Sequence, residues 1–157
     1  MALTIRAELF QPGMQVVQPE FFNQLTTMHG LVMVFGAIMP AFVGFANWML
    51  PLMIGASDMA FARMNNWSFW LLPVAAILLI GSFFVPGGAT AAGWTLYAPL
   101  SVQMGMGMDL TIFAVHIMGI SSIMGAINIV VTILNMRAPG MTMMRPCMVV
   151  SWLKSSG

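Results

Sequence analysis

Residues 25–55 read LTTMHGLVMVFGAIMPAFVGFANWMLPLMIG and contain no Asp, Glu, Lys or Arg. About 20 consecutive apolar residues are enough to carry a helix across ~30 Å of hydrocarbon. The run exceeds that length, so it predicts a membrane-spanning helix that tilts, kinks or protrudes. Pro40 is the natural place for a kink, because it removes one backbone hydrogen bond in mid-helix. One ionisable side chain, His29, lies inside the run. An imidazole is costly to hold in hydrocarbon and marks a functional site there. Its expected employments are a metal or haem iron, a proton, or a polar neighbour.

The whole composition agrees with that run. The chain has 157 residues, 60% hydrophobic and 6% charged, whereas soluble domains carry about 25% charged residues. This predicts an all-α integral membrane protein. Two further apolar runs, residues 67–85 and 110–135, bring the transmembrane helices to three, with Pro73 a second candidate kink. A fourth apolar start, CMVVSW at 147–152, is too short to span. The net charge of +1, without a basic run, excludes a nucleic-acid partner. Cys147 is the only cysteine, which excludes intrachain disulfides and cysteine-based zinc sites. The nineteen Met residues read as adaptable apolar filler. MALTIRAELFQPG at the start has no apolar core or small-residue cleavage site, so no signal peptide is expected.

Charge in the connections predicts orientation. Arg63 lies between the first two runs, and Arg137 and Arg145 follow the third. The positive-inside rule puts these segments on the cytoplasmic side and the uncharged 86–108 loop, with Trp94 and Tyr97, outside. His29 then lies near the outer surface and Asp58 near the inner one, ~43 Å apart along a helix axis. They cannot share one site.

Each polar residue in these runs admits two readings. His29 is a hydrogen-bonded interface histidine or an axial haem ligand, with Gly30 and Gly36 leaving room for a flat macrocycle or another helix. His116 is a second ligand at similar depth or a packed, satisfied histidine. Asp58 is a solvated carboxylate paired with Arg63, or a proton-collecting acid at the mouth of a polar pathway. Asn47, Asn65, Asn66, Ser121, Ser122 and Asn128 could lead inward from it. Such side chains need partners in hydrocarbon, and either one another or a file of water would serve. The glycine-rich PGGATAAG lacks the Gly-Lys-Ser/Thr ending of a phosphate loop.

Four stretches carry a resemblance: IRAELFQPG (5–13), TTMHGLVMVFGAIMPAFVGFANWMLPLMIGASDMAFARMNNWSFWLLP (26–73), GWTLYAPL (93–100) and DLTIFAVHIMGISSIMGAINIVVTILNMRAPGM (109–141). The chain closely resembles subunit I of haem-copper cytochrome c oxidases of the bacterial aa3 type, over roughly Leu3 to Pro146. The resemblance implies helices two, three and four of a roughly twelve-helix fold, with a truncated fifth, so residues 1–157 form one partial oxidase domain without a separate soluble domain. It implies that His29 is an axial ligand of haem a and that Arg6 contacts the haem a formyl group. Asp58 becomes the entrance of the D proton pathway, Asn47, Asn65 and Asn128 its asparagines, and Ser121 and Ser122 its inner serines. Glu8 resembles an acid of a peripheral cation site, and His116 matches a histidine that is not a metal ligand. Met118 stands where some relatives have serine.

The family oxidises cytochrome c, reduces O2 to water and pumps protons across the bacterial plasma membrane. The second haem a histidine, the CuB histidines and the cross-linked tyrosine have no counterpart in this sequence. Haem a3 and CuB therefore belong to the full-length family only, and this chain alone is expected not to reduce oxygen. Its implied partners are the remaining subunit I helices, subunits II and III, cytochrome c or another electron donor, and lipid. The alternatives are a small haem-binding membrane protein without oxygen chemistry and an inactive truncated remnant.

Overall fold

The computed structural model describes residues 1–13 and 16–140. Its elements are α1 (Ala2–Glu8), α2 (Pro19–Leu31), a π-helical stretch (Val32–Ile38), α3 (Met39–Ile54), α4 (Ala62–Gly81) and α5 (Met106–Asn135). Short 3-10 turns occupy Ser82–Phe84 and Leu100–Gln103, and there is no strand among the described residues. Three helical stretches, Pro19–Ile54, Ala62–Phe84 and Met106–Asn135, are long and apolar enough to cross a membrane. The all-α reading with three spans is therefore borne out. The apolar start at 147–152 lies outside the described residues.

Each span begins before its apolar run does. Pro19 occupies the first turn of α2, where its missing N–H costs nothing. Glu20, Asn23 and Gln24 then continue the helix beyond the lipid-compatible stretch. Backbone hydrogen bonding does not stop where hydropathy falls. Pro40 acts upstream of itself: its ring opposes the carbonyl four residues back, at Gly36, and it offers that carbonyl no donor. The wider π turns from Val32 to Ile38 enclose this position, a recognised way for a helix to absorb such a defect. Pro73 sits inside an unbroken α4.

The chain divides into two compact units, Met1–Ile38 with Leu72–Met118, and Met39–Leu71 with Gly119 onward. The first has an apolar core: Met28 and Leu31 of α2, Ala75 and Leu79 of α4, Ala89 of the following loop, and Ala114 and Met118 of α5. Side chains at i, i+3 and i+4 share a helix face, which explains the pairs 28/31, 75/79 and 114/118. The loop after α4 is pinned to α5 by buried hydroxyls. Thr90 and Thr111 are 2.7 Å apart, and Thr111 also donates to the Gly107 carbonyl at 2.9 Å. Gly107 and Gly88 touch backbone to backbone, and a Cβ at Gly107 would collide with the Gly88 carbonyl oxygen. Neither partner can swing aside as a side chain could. Gly107→Ala is expected to destabilise the protein by about 1–3 kcal/mol, read as earlier unfolding in detergent; unchanged unfolding would contradict this packing.

The second unit is held differently, by polar side chains binding backbone groups. α3 ends in a Schellman turn: Gly55 has φ +71°, and the Ala56 N–H reaches the Pro51 carbonyl at 2.9 Å. The Ala138 N–H binds the Ile54 carbonyl at 3.0 Å, satisfying another carbonyl at that helix end.

Candidate functional sites

His29 occupies the last turn of α2, three residues before the π-helical stretch. It is half-buried, and its ring makes no hydrogen bond among the described residues. The neighbouring turn is occupied. The Thr27 hydroxyl, buried, accepts the Gly93 N–H at 3.0 Å. A methyl group at Gly30 would come within 3.1 Å of Trp94 Cβ. Gly30 and Gly36 were expected to let a macrocycle or another helix approach; at Gly30 the neighbour is Trp94, because the loop after α4 lies against α2 there. Gly36 has only Val32 of its own helix near its open side.

His116 is exposed, and its Nδ1 lies 2.8 Å from the Ile112 carbonyl one turn back. A carbonyl only accepts, so Nδ1 carries the proton in this arrangement. Its other ring nitrogen makes no hydrogen bond among the described residues. Arg6 is exposed on α1 and binds no acid among the described residues. Glu8 is buried, and one carboxylate oxygen accepts the Val16 and Val17 N–H groups at 2.8 and 3.0 Å.

In the second unit the polar residues converge. Asp58 is exposed, and its Oδ1 accepts the Met59 N–H at 2.7 Å. The next two N–H groups go to α5: Ala60 donates to Thr132 Oγ1 and Phe61 to Asn128 Oδ1, both at 2.9 Å. Thr132 also donates to the Asn128 carbonyl at 2.6 Å. Both side chains are fully buried. Three successive N–H groups are thereby committed, and Arg63 does not bond to Asp58. The expected pair is absent because the loop folds around its own backbone donors.

Asn47 Nδ2 donates to Asn65 Oδ1 at 3.0 Å, linking α3 to α4. Ser121 donates to the Ser68 carbonyl at 2.6 Å, and Ser68 to the Asn65 carbonyl at 2.8 Å. Ser121 is thus joined to Asn65 through Ser68. Ser122 is half-buried and unbonded, and Asn66 is exposed. Among the described residues two buried side-chain polar atoms have no partner: Asn47 Oδ1 and Asn128 Nδ2. The assignment at Asn128 is fixed by the Phe61 N–H, which needs an oxygen.

Sequence reasoning missed Thr27, Ser68 and Thr132. Thr132 was detectable, since it falls one turn beyond Asn128 on the same face of an apolar helix.

The sequence profile described as Cytochrome C and Quinol oxidase polypeptide I matches residues 1–156. The chain belongs to this family. It is 51% identical to cytochrome c oxidase subunit 1 of Corynebacterium efficiens over 148 residues, covering 92% of this chain and 26% of that protein. The Corynebacterium glutamicum subunit 1 is also 51% identical, with 92% and 25% covered. A probable cytochrome c oxidase subunit 1-alpha of Streptomyces avermitilis is 47% identical, with 92% and 26% covered. The chain spans about a quarter of the length of these relatives. Family membership and the three spans make the chain a multi-pass membrane protein.

The donor set bears on how a haem could be held. No three His, Cys, Asp or Glu side chains converge among the described residues. What α2 offers is one imidazole without a hydrogen bond. A single neutral imidazole nitrogen is the donor that an axial position of haem iron takes, so the residue present fits the group.

Proposed function

We infer that this chain supplies one haem a ligand and the proton entrance of a cytochrome c oxidase subunit I. The enzyme would oxidise cytochrome c, reduce O2 to water and pump protons across a bacterial plasma membrane. Haem a3 and CuB belong to other parts of that subunit, and subunits II and III are the further partners. Residues 1–157 act as one partial membrane domain, with the Asp58 link and the C-terminal segment cytoplasmic and the 86–105 loop outside.

The observation that carries the proton reading is the pair of orphaned amide atoms among apolar helices. Asn128 Oδ1 is committed to the Phe61 N–H, so only its Nδ2 remains, as a donor. Asn47 and Asn65 pair amide to amide at 3.0 Å, which leaves one buried amide atom of Asn47 without a partner. Buried polar atoms without protein partners are the places where ordered water is found. Water bonded to these amides, in a file leading inward, would pass protons toward the membrane interior. Asp58, exposed at the α3–α4 link, collects protons from solvent. Ser121 and Ser122 continue the polar line along α5.

Haem a, when bound, supplies a one-electron relay. His29 offers the iron a neutral ring nitrogen, and Arg6 offers guanidinium donors to the haem edge. Asn128→Leu in the complete oxidase removes both the Phe61 acceptor and the water donor. Proton uptake is expected to fall about tenfold, corresponding to roughly 1.4 kcal/mol of barrier. Uptake at the parent rate, followed with a pH dye after a pulse of O2, would overturn this reading.

A further inference from the structure

We propose that the loop between α4 and α5 is a positioning strap for His29, with Thr27 and Gly30 as its docking residues on α2. The proposal rests on the reading of His29 as a haem ligand. Ligating histidines are normally oriented by a hydrogen bond from the other ring nitrogen. His29 has no such bond among the described residues. The strap grips the turn that carries His29 on both sides of it.

The contacts run in register along α2. Gly88 lies against the Gln24 amide, 2.6 Å from where its Cβ would stand. Gly93 donates its N–H to Thr27 at 3.0 Å. A methyl group at Gly30 would come within 3.1 Å of Trp94 Cβ. Gln24 and Thr27 are both buried, so these contacts are shielded from competing water. The strap has little freedom of its own. Thr90 and Thr111 tie it to α5, and the Ala91 N–H points to Met104 Sδ at 3.4 Å. Gly88 and Gly93 have φ of +74° and +82°, which side chains rarely adopt. A loop fixed to α5 and seated on both sides of His29 transmits any shift of one to the other.

The test uses the complete oxidase carrying Thr27→Val, Thr27→Ser or Gly30→Ala, with His29→Ala as control. The readouts are the largest g value of the low-spin ferric haem in electron paramagnetic resonance and the haem a midpoint potential. The g value reports the angle between axial imidazole planes, which general stability does not move. Thr27→Val removes the acceptor of the Gly93 N–H without changing side-chain volume, and Gly30→Ala pushes the strap away. Both are expected to shift the g value and the potential, and Thr27→Ser to restore the parent values. Parent values in Thr27→Val, or Val and Ser variants that behave alike, would overturn the strap. A low-spin signal that persists in His29→Ala would overturn the haem reading itself, and the strap with it.

Discussion

His29→Ala in the complete oxidase is expected to abolish the low-spin haem a absorption and with it the turnover of the enzyme. A methyl group cannot donate an electron pair to iron. His116, the other histidine, has its Nδ1 tied to the Ile112 carbonyl. That bond leaves its Nε2 free, but on the proposed reading His29 alone is the haem ligand of this chain. His116→Ala is accordingly expected to leave the low-spin bands in place. The paired variants separate one-ligand supply from the bis-histidine alternative: loss of the bands in both would favour ligation by His29 and His116 together. Reduced-minus-oxidised spectra of the two purified enzymes make the comparison.

The spans were legible because hydrocarbon imposes its own composition on long runs. Candidate residues were legible for the converse reason: His29, Asn47, Ser121 and Asn128 are polar where little else is. Their partners were not. Thr26 and Thr27 are indistinguishable as sequence, yet helical phase separates them. Thr26 binds back to the Phe22 carbonyl at 2.9 Å, whereas Thr27 faces inward and accepts from Gly93. The contact joins residues far apart in the chain, and no local pattern encodes it. Asp58 and Arg63 read as a natural ion pair, but the N–H groups of residues 59–61 have to be satisfied first, and they turn the loop toward α5. Pro40 announced a missing hydrogen bond without saying how the helix would absorb it. The π turns are a cooperative answer, spread over residues on the N-terminal side of the proline.

The two proposed tasks of this chain lie in different units, His29 in the first and Asp58 in the second. That separation makes Asp58→Asn the sharper probe. Asparagine keeps an oxygen to accept the Met59 N–H, so the loop is expected to fold as before. What it loses is the ionisable carboxyl group. A positioned acid–base group contributes typically 10²–10⁴-fold, so uptake is expected to fall by about a hundredfold, at the low end of that range. Haem a is untouched by the change on this account. The decisive measurement is proton uptake by the reduced Asp58→Asn oxidase after a pulse of O2, with the haem a spectrum recorded in the same sample. The predicted result is an unaltered low-spin spectrum with uptake slowed about a hundredfold; uptake at the parent rate would contradict the assignment of proton entry to this chain.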